Sequence, residues 1–202
     1  YYYVSGEYEK AMEFFKKAEN NAYSDPELSY KKGFISYRRD DLDNALLSFY
    51  ESADKGEENE NLLYAMGNTL FKRRNYFAAQ GYYTELLDSL MFERSRIQNL
   101  FLDEDPEHSA LIERIYKVQN NLGVTLNRLS VRQGGNDDKL SRSMVYLTSS
   151  SEYFVNFHRD PEELRRAETK DLAILNQRYI LYPDPNYELQ IYSDIPKDFE
   201  DL

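Results

Sequence analysis

"KKGFISYRRDDLDNALLSFYESA", residues 31–53, overlays "AMGNTLFKRRNYFAAQGYYTELL", residues 65–87, at one constant offset. Gly33 falls on Gly67, Tyr37 on Phe71, Leu42 on Tyr76, Ala45 on Ala79 and Phe49 on Tyr83, each pair 34 residues apart (67 − 33 = 34). Leu42, Ala45, Leu46 and Phe49 follow the i, i+3, i+4, i+7 spacing of one helix face, and Tyr76, Ala79 and Tyr83 do the same. Gly33 and Gly67 lie inside helical patterns, where Gly costs about 1 kcal/mol relative to Ala. Close approach of two antiparallel helices offsets that cost, with Ala45 and Ala79 expected as the facing small residues. The pattern predicts an all-α stack of antiparallel helix pairs.

The register extends in both directions. In "GEYEKAMEFFKKA" (6–18), Tyr8, Ala11, Phe15 and Ala18 match the second helix of a pair, so the chain is expected to begin near the end of a first helix, as a fragment of a longer repeat protein. "IYKVQNNLGVTLNRL" (115–129) and "DDKLSRSMVYLTSSSEYFVNF" (137–157) form a stretched pair through Gly123, Leu140, Ser143 and Leu147. Gly123 to Leu140 is 17 residues against 9 from Gly33 to Leu42 (17 − 9 = 8), which predicts about eight extra loop residues in or near "VRQGGNDD". Residues 84–104 are expected to continue a second helix, with Leu86, Leu87, Leu90 and Ile97 on one face. Residues 161–181 read as one capping helix with Leu164, Ala167, Ile174 and Leu175 on its apolar side. The tail, 183–202, has no long helical pattern but carries Tyr187, Leu189, Ile191, Tyr192, Ile195 and Phe199. It is expected to lie extended against the helices, or to dock on something outside the chain.

"DPE" occurs at 25–27, 105–107 and 160–162. Asp is a favoured N-cap, Pro is tolerated at the first helical position and Glu suits the positive helix start. The three stretches therefore predict helix starts rather than a reactive motif. Asp184-Pro185, followed by no helical pattern, marks the beginning of the tail. The organisation is a helical domain over 1–182, with units at about 1–25, 26–59, 60–104 and 105–159, a cap helix at 160–182, and an extended tail at 183–202.

The 34-residue length and the small, aromatic, apolar, small, aromatic order of Gly33, Tyr37, Leu42, Ala45 and Phe49 resemble the tetratricopeptide repeat (TPR). Residues 1–83 carry the resemblance, and 115–157 resemble an elongated pair. It implies a superhelical stack whose first helices line a concave groove. The repeat positions that face such a groove fall on Glu27, Tyr30, Phe34, Tyr37 and Arg38; on Asn61, Tyr64, Asn68, Phe71 and Lys72; and on Lys117, Asn120, Val124, Asn127 and Arg128. The last of each set is basic, and Asn can hydrogen-bond a peptide backbone in both directions. An extended, acidic or C-terminal peptide would suit this strip. The same residues also have ordinary readings: a cation favoured at a helix C-terminus, and aromatics buried between repeats. The carboxylate-clamp variant usually has Lys where this chain has Tyr30, Tyr64 and Asn120, which argues against a chaperone-tail clamp. The segment from "NLGVTLNRLSVRQG" to "NQRYILYPDPNYELQIYSDIPKDFEDL" also resembles the C-terminal part of a large spirochaete TPR protein of the periplasmic flagellar motor collar.

Composition narrows the alternatives. The net charge is −11, which disfavours nucleic-acid binding and adhesion to anionic lipid. No apolar run approaches the ~20 residues that cross a bilayer, so no direct membrane insertion is expected. Cysteine is absent, and His108 and His158 are the only histidines, neither in a metal-binding frame. No nucleophile elbow, P-loop, dinucleotide fingerprint or calcium loop is present. His108 and His158 are expected at helix starts and junctions, and Thr148–Ser151 as small residues in a helix interface. The expected protein is no enzyme, has no catalytic residues, cofactor or metal, and binds protein or peptide partners. As a scaffold it would belong to the flagellar collar in the periplasm, with other collar or stator proteins as partners. The alternative is a soluble TPR adaptor or co-chaperone, cytoplasmic, gripping an extended peptide in its groove. A third possibility is a helical domain serving an enzyme elsewhere in a longer chain.

Overall fold

A computed structural model describes residues 1–21, 23–56, 59–97, 106–135, 137–157, 162, 166 and 171–198. Among them the fold is all-helical: eight helices pack against their neighbours, and no strand is present. The described residues form two compact units. One comprises Tyr1–Asn75 and Asp194–Leu202, the other Tyr76–Ser193.

The first unit contains α1 (Tyr8–Asn20), α2 (Pro26–Arg38), α3 (Leu42–Lys55) and α4 (Glu60–Lys72). Each of the last three opens on a side-chain cap. Asp25 accepts from Glu27 N at 2.8 Å, Asp41 from Asn44 N at 3.4 Å and Asn59 from Leu62 N at 2.9 Å. These bonds satisfy amides that have no partner within the helix. Tyr30, Ile35, Phe49, Leu62 and Met66 form the buried centre of this unit. Gly33 is needed for close packing, and the Phe49 ring is what lies nearest to it. A Cβ at Gly33 would lie 2.5 Å from Phe49 Cε1.

The turns leading into α1, α3 and the next helix share one geometry. Ser5 N, Gly6 N and Glu7 N donate to Tyr1 O, Tyr3 O and Tyr2 O, and the same set recurs at Arg39, Asp40 and Asp41 and at Arg73, Arg74 and Asn75. Gly6, Asp40 and Arg74 hold left-handed φ angles of 80°, 59° and 60°. They are spaced by the sequence period (40 − 6 = 34; 74 − 40 = 34). This closure gives the last helical carbonyls their donors. Non-glycine residues adopt it at a cost of order 1 kcal/mol.

The second unit contains α5 (Tyr76–Ile97), α6 (Pro106–Arg132), α7 (Asp137–Phe157) and α8 (Leu172–Leu181). Leu86, Leu87 and Leu90 of α5 are buried, and Ile97 is half-buried. Gly123 lies against Leu147, whose Cγ would be 2.7 Å from an added Cβ. Ser143 Oγ donates to Gly123 O and Ser150 Oγ to Tyr116 O, both at 2.7 Å, so small α7 residues bond directly to the α6 backbone.

The eight extra residues of this pair lie mainly in the helices, not in the loop as predicted. Gly134 (φ 76°) closes α6 with the same bond set as Asp40. Gly123 to Gly134 is 11 residues against 7 from Gly33 to Asp40, so four extend α6 (11 − 7 = 4). α7 begins three residues before Leu140, whereas α3 begins at Leu42 itself. With ~3.6 residues per turn, adding about a turn to each of two antiparallel helices returns the facing residues to register. Gly123 thus meets Leu147 as Gly33 meets Phe49.

The capping element also differs from one continuous 161–181 helix. Residues 162 and 166 are helical, but Asp171 is extended (φ −80°, ψ 133°) and opens α8 as an N-cap, accepting from Ala173 N at 2.9 Å. Pro106 is the first residue of α6, while Asp105, His158, Asp160-Pro161, Leu164, Ala167 and Phe199 lie outside the described residues. Asp184 forms a local turn, accepting from Asn186 N at 2.8 Å, and no helix follows it.

Candidate functional site

In the second unit, residues 187–192 run without secondary structure against α6 and α8. Asn121 Oδ1 accepts from Tyr192 N at 2.7 Å while its Nδ2 donates to Tyr192 O at 3.0 Å. Two residues earlier, Asn176 repeats the grip: Oδ1 accepts from Gln190 N at 3.1 Å and Nδ2 donates to Gln190 O at 2.6 Å. Asn120 Nδ2 donates to the same carbonyl at 3.0 Å, and its Oδ1 accepts from Asn176 Nδ2 at 2.7 Å. Tyr187 OH donates to Asn176 Oδ1 at 2.7 Å. Asn120, Asn121 and Asn176 are all fully buried. A primary amide carries one acceptor group and two donors. Here two amides take the place of the neighbouring strand in a β-ladder, with the two-residue spacing that extended backbone requires.

Side chains fix the register. Leu189 is buried. The Tyr192 ring packs edge-on against Tyr116 at 6.0 Å, within a cluster with Phe154 and Ala173. Its hydroxyl donates to Asp171 Oδ1 at 2.6 Å and accepts from Ala173 N at 3.0 Å. Burial, with the Asp171 charge adding, holds this phenol far above the ordinary tyrosine range. Burial also pushes Tyr187 up to about 12. At the rim, Arg128 pairs with Glu188 and donates to Leu189 O at 3.3 Å.

In the first unit, residues 194–198 lie against the predicted groove positions. Tyr30 OH donates to Pro196 O at 2.7 Å, Asn61 Nδ2 to Asp198 O at 3.2 Å, and Tyr3 OH to Lys197 O. Ile195 is buried, and Arg38 faces Asp194 at 3.7 Å. Lys72 lies over the Tyr37 ring at 4.1 Å and reaches Asp40 at 4.0 Å.

Of the groove residues named from sequence, Tyr30, Arg38, Asn61, Lys117, Asn120 and Arg128 therefore meet the chain's own tail, Lys117 over the Tyr192 ring at 5.9 Å. Phe34, Tyr37, Tyr64, Asn68 and Val124 are buried, Phe71 and Asn127 are half-buried, and Lys72 is exposed. Sequence reasoning missed Tyr3, Asn121 and Asn176. Tyr3 stands one period before Tyr37 (37 − 3 = 34) and was legible in the repeat. Asn176 lies outside the repeat pattern, and only folding brings it beside Asn120.

Among the described residues, no group of three or more His, Cys, Asp or Glu side chains is placed to hold a metal ion. No described helix is long and apolar enough to cross a membrane. No protein-family model matches the chain, and no curated protein matches it either.

Proposed function

We propose that the chain is a non-catalytic scaffold for protein–protein contacts, a TPR-like superhelical stack whose first helices hold extended polypeptide. The observation that carries this reading is the paired amide grip of Asn121 and Asn176 on both backbone groups of Tyr192 and Gln190. Buried amides with this spacing form a receptor for a strand, and they select backbone conformation before side-chain identity. The resemblance of the C-terminal segment to a spirochaete collar protein supports a structural role in the periplasmic flagellar motor collar, with collar or stator proteins as partners. The second reading, a soluble adaptor or co-chaperone, is favoured by the exposed cations Arg38 and Lys72, which suit an acidic peptide.

Proximity labelling with the full-length protein in its native cell tests the placement. Enrichment of flagellar collar and stator proteins is expected. Labelling confined to cytoplasmic chaperones would replace the scaffold reading with the adaptor one. For the groove itself, the triple variant Arg38→Glu, Lys72→Glu, Arg128→Glu is expected to lose partner binding with unchanged helical circular dichroism. Undiminished binding would remove the groove from the interaction.

A further inference from the structure

We infer that residues 187–198 are a strap with one lock: the grip of Asn121 and Asn176 on 187–192 keeps 194–198 seated on the first unit, so access to Tyr30, Arg38 and Asn61 is set at α6 and α8. The strap runs without helix or strand through residue 196. Its first half belongs to the unit Tyr76–Ser193, and its second to the unit of Tyr1–Asn75 and Asp194–Leu202. Ser193 and Asp194, both exposed, join the halves. The chain therefore passes from one unit to the other twice, at 75–76 and again at 193–194.

The two halves are held by unequal means. On 187–192, amide and carbonyl of both Gln190 and Tyr192 are bonded, Leu189 is buried, and the Tyr192 ring packs on Tyr116 while its hydroxyl joins Asp171 and Ala173. On 194–198, Tyr30, Tyr3 and Asn61 donate to the carbonyls of Pro196, Lys197 and Asp198, and Ile195 is buried. The Arg38–Asp194 pair spans 3.7 Å with side chains 56% and 97% exposed, a setting in which an ion pair contributes little. Fixing these residues costs conformational entropy at each one, and hydrogen bonds exchanged for those to water return only part of it. What seats them is proximity. Once Tyr192 is gripped, Asp194 lies within about 7 Å of it along the chain, so the local concentration of 194–198 at its seat is high. The coupling free energy is the same in both directions, but its consequences differ. Freeing the weakly held half leaves the gripped half in place, whereas breaking the grip releases both. Tyr30, Arg38 and Asn61, all groove positions, then lose their cover.

The lock rests on the strand-receptor reading of Asn121 and Asn176 and on no outside partner, so it fails separately from the proximity labelling. Lys197 is the only Lys or Arg within residues 179–202. Trypsin cleavage after it, timed by mass spectrometry on the native full-length protein, therefore reports release of 194–198 without any substitution in the strap. The double variant Asn121→Ala, Asn176→Ala is expected to raise that cleavage rate roughly tenfold or more while the helical circular dichroism holds. A flexible Gly/Ser linker inserted between Ser193 and Asp194 leaves every side-chain contact intact and lowers only the local concentration. It is expected to raise the rate as well, which keeps the test decisive if the double variant loses its helices. Cleavage after Lys197 at the wild-type rate in the linker variant would overturn the proposal, because 194–198 would then seat unaided. In the converse variant, Tyr30→Phe with Asn61→Ala, hydrogen exchange of the Gln190 and Tyr192 amides is expected to stay within about twofold of wild type, since their bonds to Asn176 and Asn121 remain. Exchange accelerated as strongly as cleavage would place the lock on the first unit and sink the proposal too.

Discussion

At the scale of single residues, two glycines in helices separate packing from propensity. Gly33 is crowded by Phe49, and an added Cβ at 2.5 Å forces the ring to move. Gly33→Ala gains about 1 kcal/mol of helix propensity but incurs about 1–3 kcal/mol of overpacking. A net loss in urea unfolding is expected, relieved when Phe49→Leu is added. Gly81, in α5, has nothing within 4 Å of the added atom, so Gly81→Ala is expected to stabilise by about 0.5–1 kcal/mol. Asn121 gives a different kind of sensitivity. Asn121→Ala strands Tyr192 N and O in a half-buried site, for a loss of about 2 kcal/mol. Asn127→Ala, one helix face away and half-buried, should change stability by less than about 0.5 kcal/mol. Denaturant melts of the two variants side by side check this. The role of Asn121 was not legible in the sequence. Asn is common near helix ends and turns, and nothing in "VQNNLG" says that a strand from 71 residues later will bond to it (192 − 121 = 71).

At the scale of elements, the Asp25 cap and the tail segment respond to pH in opposite senses. The Tyr23 hydroxyl, followed by the Glu27 and Leu28 amides, holds the Asp25 carboxyl below its ordinary range. Its contribution is therefore present above the unfolded value near ~4 and is lost as pH falls through the folded value. Asp171 both caps α8 and accepts from Tyr192. Asp171→Ala should therefore exceed the ~1 kcal/mol of a simple cap loss, whereas Asp25→Ala, whose second donor Tyr23 is exposed to water, should stay near it, as thermal melts would show. Tyr187 titrates in the other direction. The fold favours its neutral phenol, so that stability is complete below the unfolded value of ~10 and disappears as pH rises toward about 12. Ultraviolet titration of the wild type against Tyr187→Phe should show one late-ionising phenol missing from the variant. The element boundaries divide in an instructive way. α2 starts at Pro26 behind the Asp25 cap that the sequence predicted, because its cap and apolar face lie within a few residues of one another. The break before α8 was missed because Asp171 becomes a cap partly through Tyr192, which lies far along the chain.

At the scale of the whole molecule, the period is the property on which sequence and structure agree. Left-handed turns at Gly6, Asp40 and Arg74 repeat it in the backbone. The stretched pair keeps its facing contacts by adding about a turn to each helix. The acidic balance of −11 disfavours contact with phosphate backbones. Within each unit, positions predicted to bind an outside peptide meet the chain's own tail segment, residues 194–198 in the first unit and 187–192 in the second. A trans ligand would compete with that segment, so the triple charge-reversal variant should loosen the tail as well as weaken partner binding. Hydrogen exchange of the Gln190 and Tyr192 amides would register the loosening.

By itself the sequence determined the helical class, the 34-residue period, the capped start at Asp25 and the glycines that let helices approach. Each of these depends on side chains a few residues apart or on a spacing repeated along the chain. Tertiary structure alone decided where the eight extra residues went and which asparagines became strand receptors. It also decided that Tyr192 would complete the cap at Asp171. These depend on bonds between residues far apart in sequence, and their partners exist only once the chain has folded.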